Sequence, residues 1–240
     1  MKLDPHIHSC YSGDARSSPK DIVKKAKSIG LDMIAISDHD SVKGSKIAIE
    51  LSQDMDDFLV IPSIEISSNK GHIIGFGVKT AIPKDFSPEE TVEMIHDEGG
   101  IAIIPHPFSF YRNGLLSNKT SIFFDDKKII DKLIVFDEIP KKSSIEGIEV
   151  LNARHVFGYS NFKAKKLSEK YDLAKIGASD SHFLESIGNC YTEFSSLDSN
   201  PTVDDVIEAI KSKKTIAKGK RTSNYLIAKE VFNKKIRRIY

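Results

Sequence analysis

Short apolar runs alternate with capped helical segments almost from end to end, and this pattern most narrows how the chain can fold. Met33–Ser37 is too short for a helix and is apolar throughout, as a strand buried on both faces must be. Phe58–Ile61, Ile73–Val78, Ile101–Ile104, Gly147–Leu151 and Ala174–Ala178 have the same character. The intervening segments carry helix signals. Ser18-Pro19 supplies a cap and a first-turn proline ahead of Lys20–Ile29, and Gly30 marks its stop. Ser87-Pro88 opens Glu89–Glu98 in the same way, with Gly99 beyond. Asn161–Tyr171 and Thr202–Lys213 place apolar residues at helical spacing, and one further helix, Lys127–Leu133, is expected within the less patterned stretch 117–146. Repeated β–α units predict an α/β fold, a mainly parallel sheet with helices outside, as a barrel or a doubly wound sheet.

Composition narrows the function classes. With 240 residues, 40% of them hydrophobic, the chain can bury a core as a single domain without disulfide staples. No apolar stretch approaches the roughly 20 residues of a membrane span, and the opening Met-Lys-Leu-Asp-Pro-His lacks the apolar run of a signal peptide. Cys10 and Cys190 cannot build a disulfide framework, so a cytoplasmic, membrane-free protein is expected. The net charge of +1 names no partner. Its distribution is uneven: from Lys211 onward eleven Lys and Arg face a single acid, Glu230. Such a segment would suit a polyanion, and a solvated helix explains it equally well.

The residues that carry chemistry gather at strand ends. His6 and His8 close the first strand, and residues i and i+2 of a strand share a face, so both imidazoles can reach one metal ion. Asp38-His39-Asp40 follows Met33–Ser37, Glu65 lies beyond Phe58–Ile61, and His106 ends Ile101–Ile104. Asp180 and His182 repeat the i, i+2 spacing after Ala174–Ala178. Only His72 opens a strand instead of closing one. In β/α folds the C-terminal strand ends share one rim, where active sites form. His96, in mid-helix, reads as a packing or surface residue. A mixed set of imidazoles and carboxylates without sulfur suits zinc, manganese or iron(II).

Seven motifs in order, Asp4-Pro5-His6-Ile7-His8, Tyr11-Ser12-Gly13-Asp14, Ser37-Asp38-His39-Asp40-Ser41, Ile64-Glu65-Ile66, Gly71-His72-Ile73, Pro105-His106-Pro107 and Ala178-Ser179-Asp180-Ser181-His182, resemble the PHP family (polymerase and histidinol phosphatase). The resemblance is to its stand-alone metal-dependent phosphoesterases and covers roughly residues 1–220, leaving 221–240 as a basic, helical C-terminal extension. It implies a distorted (β/α)7 barrel of the TIM-like kind and two or three divalent ions. By that resemblance His6, His8, Glu65 and Asp180 hold the first ion, and Glu65 bridges to a second held by His72 and His106. Asp14, His39 and His182 hold the third. The implied activity is hydrolysis of a phosphate ester by a metal-bound hydroxide, with a phosphorylated small molecule such as a nucleotide as substrate. Arg16, Asn152, Arg154 and His155 are the candidate substrate contacts, and Asp40 the candidate proton carrier. A nuclease or phosphodiesterase, which brings in a nucleic acid as a less favoured partner, and a non-catalytic metal-stabilised module are the alternatives. An amidohydrolase is a weaker one, because no lysine is placed for a carbamate bridge.

Overall fold

Serine and threonine caps set the helix starts. In the computed structural model, which describes residues 1–109, 112–116, 144–155 and 158–229, helix α1 runs Pro19–Ser28, with the Ser18 side chain accepting from the Asp21 N–H. Helix α3, Pro88–Asp97, begins with a reciprocal capping box between Ser87 and Glu90. Helix α5, Val203–Lys211, begins with another, between Thr202 and Asp205. Helix α4 spans Tyr159–Lys170. Helix α2, Lys43–Ser52, carried no such signal, because Val42 at its N-cap offers no side-chain acceptor. The helix expected at Lys127–Leu133 lies outside the described residues, as does the extension beyond residue 229; residues 224–229 are helical.

The strands are β1 (Lys2–Ile7), β2 (Met33–Ile36), β3 (Leu59–Ile61), β4 (Ser63–Ser67), β5 (His72–Phe76), β6 (Ile101–Ile104), β7 (Gly147–Asn152), β8 (Ala174–Ala178), β9 (Cys190–Glu193) and β10 (Ile216–Gly219). They form two five-stranded sheets, ordered β10-β9-β1-β2-β3 and β4-β5-β6-β7-β8. The α/β class holds, while the described strands form two mixed sheets rather than one closed barrel sheet. β4–β5, β5–β6, β1–β9 and β9–β10 pair antiparallel, and among the described residues no ladder joins the sheets. Two isolated parallel bridges link them, Ile7 to Ser181 and His39 to Glu65. The antiparallel turn of β5 also accounts for His72. Reversing the strand brings its first residue to the rim where β4 ends, with His72 paired to Ser67.

The two ends of the strands have opposite chemistry. Leu3, Met33, Ile101 and Ala174 at the starts of β1, β2, β6 and β8 join Ile61, Phe76 and Phe194 in a core roofed by Val206, Ile207 and Ile210 of α5. Each of the larger aliphatic side chains contributes about 1.5–3 kcal/mol by leaving water. A second core packs Val92 and Ile95 of α3 against Ile64, Ile73 and Ile104. The opposite end of the strands carries the imidazoles.

Helix α2 is pressed against that polar end. A Cβ on Gly44 would stand 2.1 Å from Asp38 Oδ2 and 2.3 Å from Ser9 Oγ. Those two groups cannot yield freely, because Asp38 accepts from both the N–H and the hydroxyl of Ser9 at 2.6 Å. Gly44→Ala should therefore cost about 1–3 kcal/mol, read as a lowered denaturation midpoint with unchanged slope. An unchanged midpoint would show that α2 is free to move away.

Candidate metal centre

The rim assembles from strand ends and the short segments after them. His6 and His8 leave β1 around a bulge between Asp4 and Ile7, where Pro5 has no N–H for the ladder. Backbone bonds between His8 N and Ser181 O (2.8 Å) and between Asp40 N and Glu65 O (2.9 Å) tie neighbouring rim segments together. Two side chains that face inward, His106 (φ 28°) and Asp180 (φ 51°), sit on left-handed backbone, a conformation uncommon for non-glycine residues and concentrated at functional sites.

Glu65 is the centre of the arrangement. It is fully buried, and five imidazoles approach its carboxylate. His72 Nδ1 and His106 Nε2 lie 2.9 Å from Oε1; His39 Nδ1 lies 2.9 Å from Oε2, and His6 Nε2 and His8 Nε2 each lie 3.4 Å from it. His6 Nε2 and His8 Nε2 are themselves 2.9 Å apart. Beside this group, His182 Nε2 lies 3.0 Å from Asp14 Oδ2, and His39 Nε2 lies 3.7 Å from the same oxygen. Four sets of donor atoms each fall within 4.8 Å of one another: His8, Asp14, His39 and His182; His6, His106 and Asp180; His6, His8 and Glu65; His39, Glu65 and His72. All nine expected ligands are thus brought together, and His6, His8, His39 and Glu65 each belong to more than one set.

The donor atoms fit divalent ions. Ligands about 2.1 Å from a tetrahedral ion stand about 3.4 Å apart, close to the His6–His8–Glu65 spacings. His39 Nδ1 and Glu65 Oε2 face each other at 2.9 Å without hydrogen-bond geometry, so both are buried without a partner, as is His106 Nδ1. Buried electron-pair donors aimed at one another are costly unless a proton or a metal ion lies between them.

Electrostatics agree. Burial opposes ionisation of Glu65, yet the surrounding His72, His39 and His6 hold its carboxyl well below the usual range. Asp180, also buried, is held down by Arg112 and His6. Burial opposes the charged form of His39, but Glu65 and Asp14 outweigh it and push the imidazole up to about 10. His8 moves the other way, well below 6.5, through burial and the neighbouring His182. A divalent ion must displace the proton on His39. Loading at pH 7 should release protons, seen as a binding enthalpy that depends on the buffer's own ionisation enthalpy. Affinity should weaken progressively as the pH drops below about 10, where His39 takes up the competing proton. Identical enthalpies in two such buffers would contradict this.

The other expected site residues are distributed differently. Asn152 Nδ2 donates to Asp180 at 3.1 Å, and Arg154 Nη1 lies 3.0 Å from His182 Nε2 and 3.6 Å from Asp180. His155 is buried beside Arg112, which donates to its Nδ1 at 3.1 Å. Burial and that guanidinium push His155 down to about 3, so it is neutral. Arg16 is exposed on the loop after Asp14. Asp40 accepts from the N–H and hydroxyl of Ser67 at 2.8 and 3.0 Å, a contact that braces the end of β4. His96 pairs with Glu146 at 3.0 Å.

Three residues at the rim had no assigned role in the sequence reading. Arg112 forms an ion pair with Asp180 and donates to Asn152 at 3.3 Å. Ser12 donates to Asp14 at 2.9 Å while lying 3.0 Å from His8 Nδ1, leaving His8 Nε2 to face Glu65. Glu149, on β7, touches His6 at 2.8 Å. Their only sequence signal is position: Ser12 lies inside a quoted motif, and Glu149 three residues before Asn152.

The comparisons with known proteins agree with this geometry. A PHP domain model matches residues 4–134, and a PHP-associated model matches 158–215. An uncharacterized protein of Methanocaldococcus jannaschii is 35% identical over 171 residues, covering 67% of this chain and 87% of its own length. Among solved structures, a two-domain protein from Bacteroides vulgatus containing a predicted PHP-like metal-dependent phosphoesterase superposes with a TM-score of 0.70. It is 19% identical, and the match covers 98% of this chain and 69% of that one. The lesion-specific endonuclease of Pyrococcus furiosus gives a TM-score of 0.57 at 15% identity, over 88% of this chain and 56% of that one. These two structures share the fold, while the family models and the Methanocaldococcus relative identify the sequence: the chain belongs to the PHP family.

Proposed function

We propose that this chain is a metal-dependent hydrolase of phosphomonoesters, acting on a nucleotide or another small phosphorylated metabolite with two or three zinc, manganese or iron(II) ions. The observation that carries the reading is Glu65, one buried carboxylate within 3.4 Å of nitrogen atoms from five imidazoles. Such ions, when bound, act as Lewis acids and bring the pKa of coordinated water toward neutrality. His6, His8, Glu65 and Asp180 would hold one, Glu65, His72 and His106 a second, and Asp14, His39 and His182 a third. Arg154 and Arg112 flank Asp180 and are placed to turn toward phosphate oxygens, with Asn152 and His155 orienting Arg112. Arg16 would meet the outer part of the substrate. Asp40 is assigned to holding β4 instead of carrying a proton, since both its oxygens accept from Ser67.

One specific feature favours a second reading, cleavage of a nucleic acid: the eleven basic residues from Lys211 onward. The similarity to a lesion-specific endonuclease adds weight to it. The test is a panel of mono- and diesters offered to chelated protein reloaded with manganese or zinc. Metal-dependent release of phosphate from monoesters supports the first reading. Cleavage of oligonucleotides alone, falling steeply with salt, supports the second. Full metal occupancy with neither activity would refute both.

A further inference from the structure

Glu149 is a carboxylate buried in the middle of the fold with three hydrogen-bond donors around it. Its Oε2 accepts from the His106 backbone N–H and from Asn152 Nδ2, each at 2.7 Å. Its Oε1 lies 2.8 Å from His6 Nδ1. Asn152 in turn bonds Asp180. The carboxylate therefore joins the ends of β1, β6 and β7, each of which delivers a group to the rim. It does so from behind: it belongs to none of the four donor sets around Glu65.

We propose that Glu149 is a positioning residue that fixes His6 with its proton on Nδ1 and its Nε2 lone pair toward Glu65. The inference rests on the metal-dependent reading above. A carboxylate can only accept, so the ring nitrogen facing it must carry the hydrogen. Nε2, which lies 2.9 Å from His8 Nε2 and 3.4 Å from Glu65, is then left free to coordinate. Carboxylates in this role also raise the basicity of the imidazole they hold.

Glu149→Gln isolates the claim because it preserves shape. The two N–H groups at Oε2 would retain the amide oxygen there, which turns the amide NH2 toward His6. Nδ1 must then accept, the proton moves to Nε2, and the ligand atom is lost. Affinity for zinc, measured by chelator competition, should fall about 10- to 100-fold. The same substitution in a His6→Ala background should change affinity little. Long-range proton–nitrogen NMR of the unmutated zinc-loaded protein should place the His6 proton on Nδ1.

Equal losses of affinity in both backgrounds, or no loss in either, would overturn the proposal. Should Glu149→Gln fail to fold, the NMR measurement decides: a proton on Nε2 with Nδ1 bound to zinc refutes it. An unmutated protein that binds no zinc would defeat the metal-dependent reading. The His6–Glu149 contact would still be visible in its spectrum, so the two failures are distinguishable.

Discussion

Glu65→Gln should reduce phosphoester hydrolysis by more than about a hundredfold, beyond what losing an outer partner of a metal ligand costs. The amide keeps the volume of the side chain and removes the charge that five imidazoles surround. It also replaces one of two ligand oxygens by an NH2 group, which cannot bind a cation. Elemental analysis after reconstitution should show at least one ion fewer per chain. The fold should survive, because His39 is held charged by Glu65 and can release its proton once that partner is gone. A variant with full turnover and unchanged metal content would remove Glu65 from the centre of the mechanism.

Arg112→Ala should markedly destabilise the metal-free protein. Asp180 is almost wholly buried and its carboxylate is held ionised first by Arg112. Removing one partner of a buried ion pair leaves the other uncompensated, at about 3–5 kcal/mol. The Asn152 N–H and the Arg154 guanidinium, 3.6 Å away, would remain as weaker partners. In metal-loaded protein the deficit should shrink, because the cation proposed to sit among His6, His8, Glu65 and Asp180 replaces the lost charge. The check is the denaturation free energy of both proteins, with chelator and with zinc. Equal deficits in the two states would show that Asp180 does not sense the ion.

These expectations separate what the sequence made legible from what it hid. Strand ends were legible because a strand buried on both faces is a bare apolar run, and the first polar residue after it marks the rim. His39 and His106 were found in that way, and His6, His8, Asp180 and His182 by the i, i+2 spacing. Helices α1 and α3 announced themselves through Ser18-Pro19 and Ser87-Pro88, and α5 through its apolar spacing. Strand direction was not legible. Residues 68–71, Ser-Asn-Lys-Gly, close a hairpin, yet an apolar strand reads alike in either direction, so the antiparallel β5 and the division into two sheets went unseen. Glu149 and Arg112 were hidden for a related reason. Each is a single charged residue whose rim partners, His6 and His106 for Glu149 and Asn152, His155 and Asp180 for Arg112, lie 40 or more residues away. Only the folded chain brings them within reach.

The two backbone bridges between the sheets lie among the residues that ring Glu65. His39 bridges to Glu65 itself, and Ile7, flanked by His6 and His8, bridges to Ser181, flanked by Asp180 and His182. Elsewhere a sheet edge is zipped by a ladder; here the side chains on either side of the seam point at a common centre. An ion bound there would act as a clasp, and the rim would be the first part of the molecule to part when it is withdrawn. Hydrogen exchange should report this at the His8, Asp40 and Glu65 amides, which cross the two junctions. On chelation they should lose protection well before the Leu3 and Met33 ladder does. The chemistry and the closure of the fold would then share one fastening, so changes that tune the site would also change how tightly the molecule is shut.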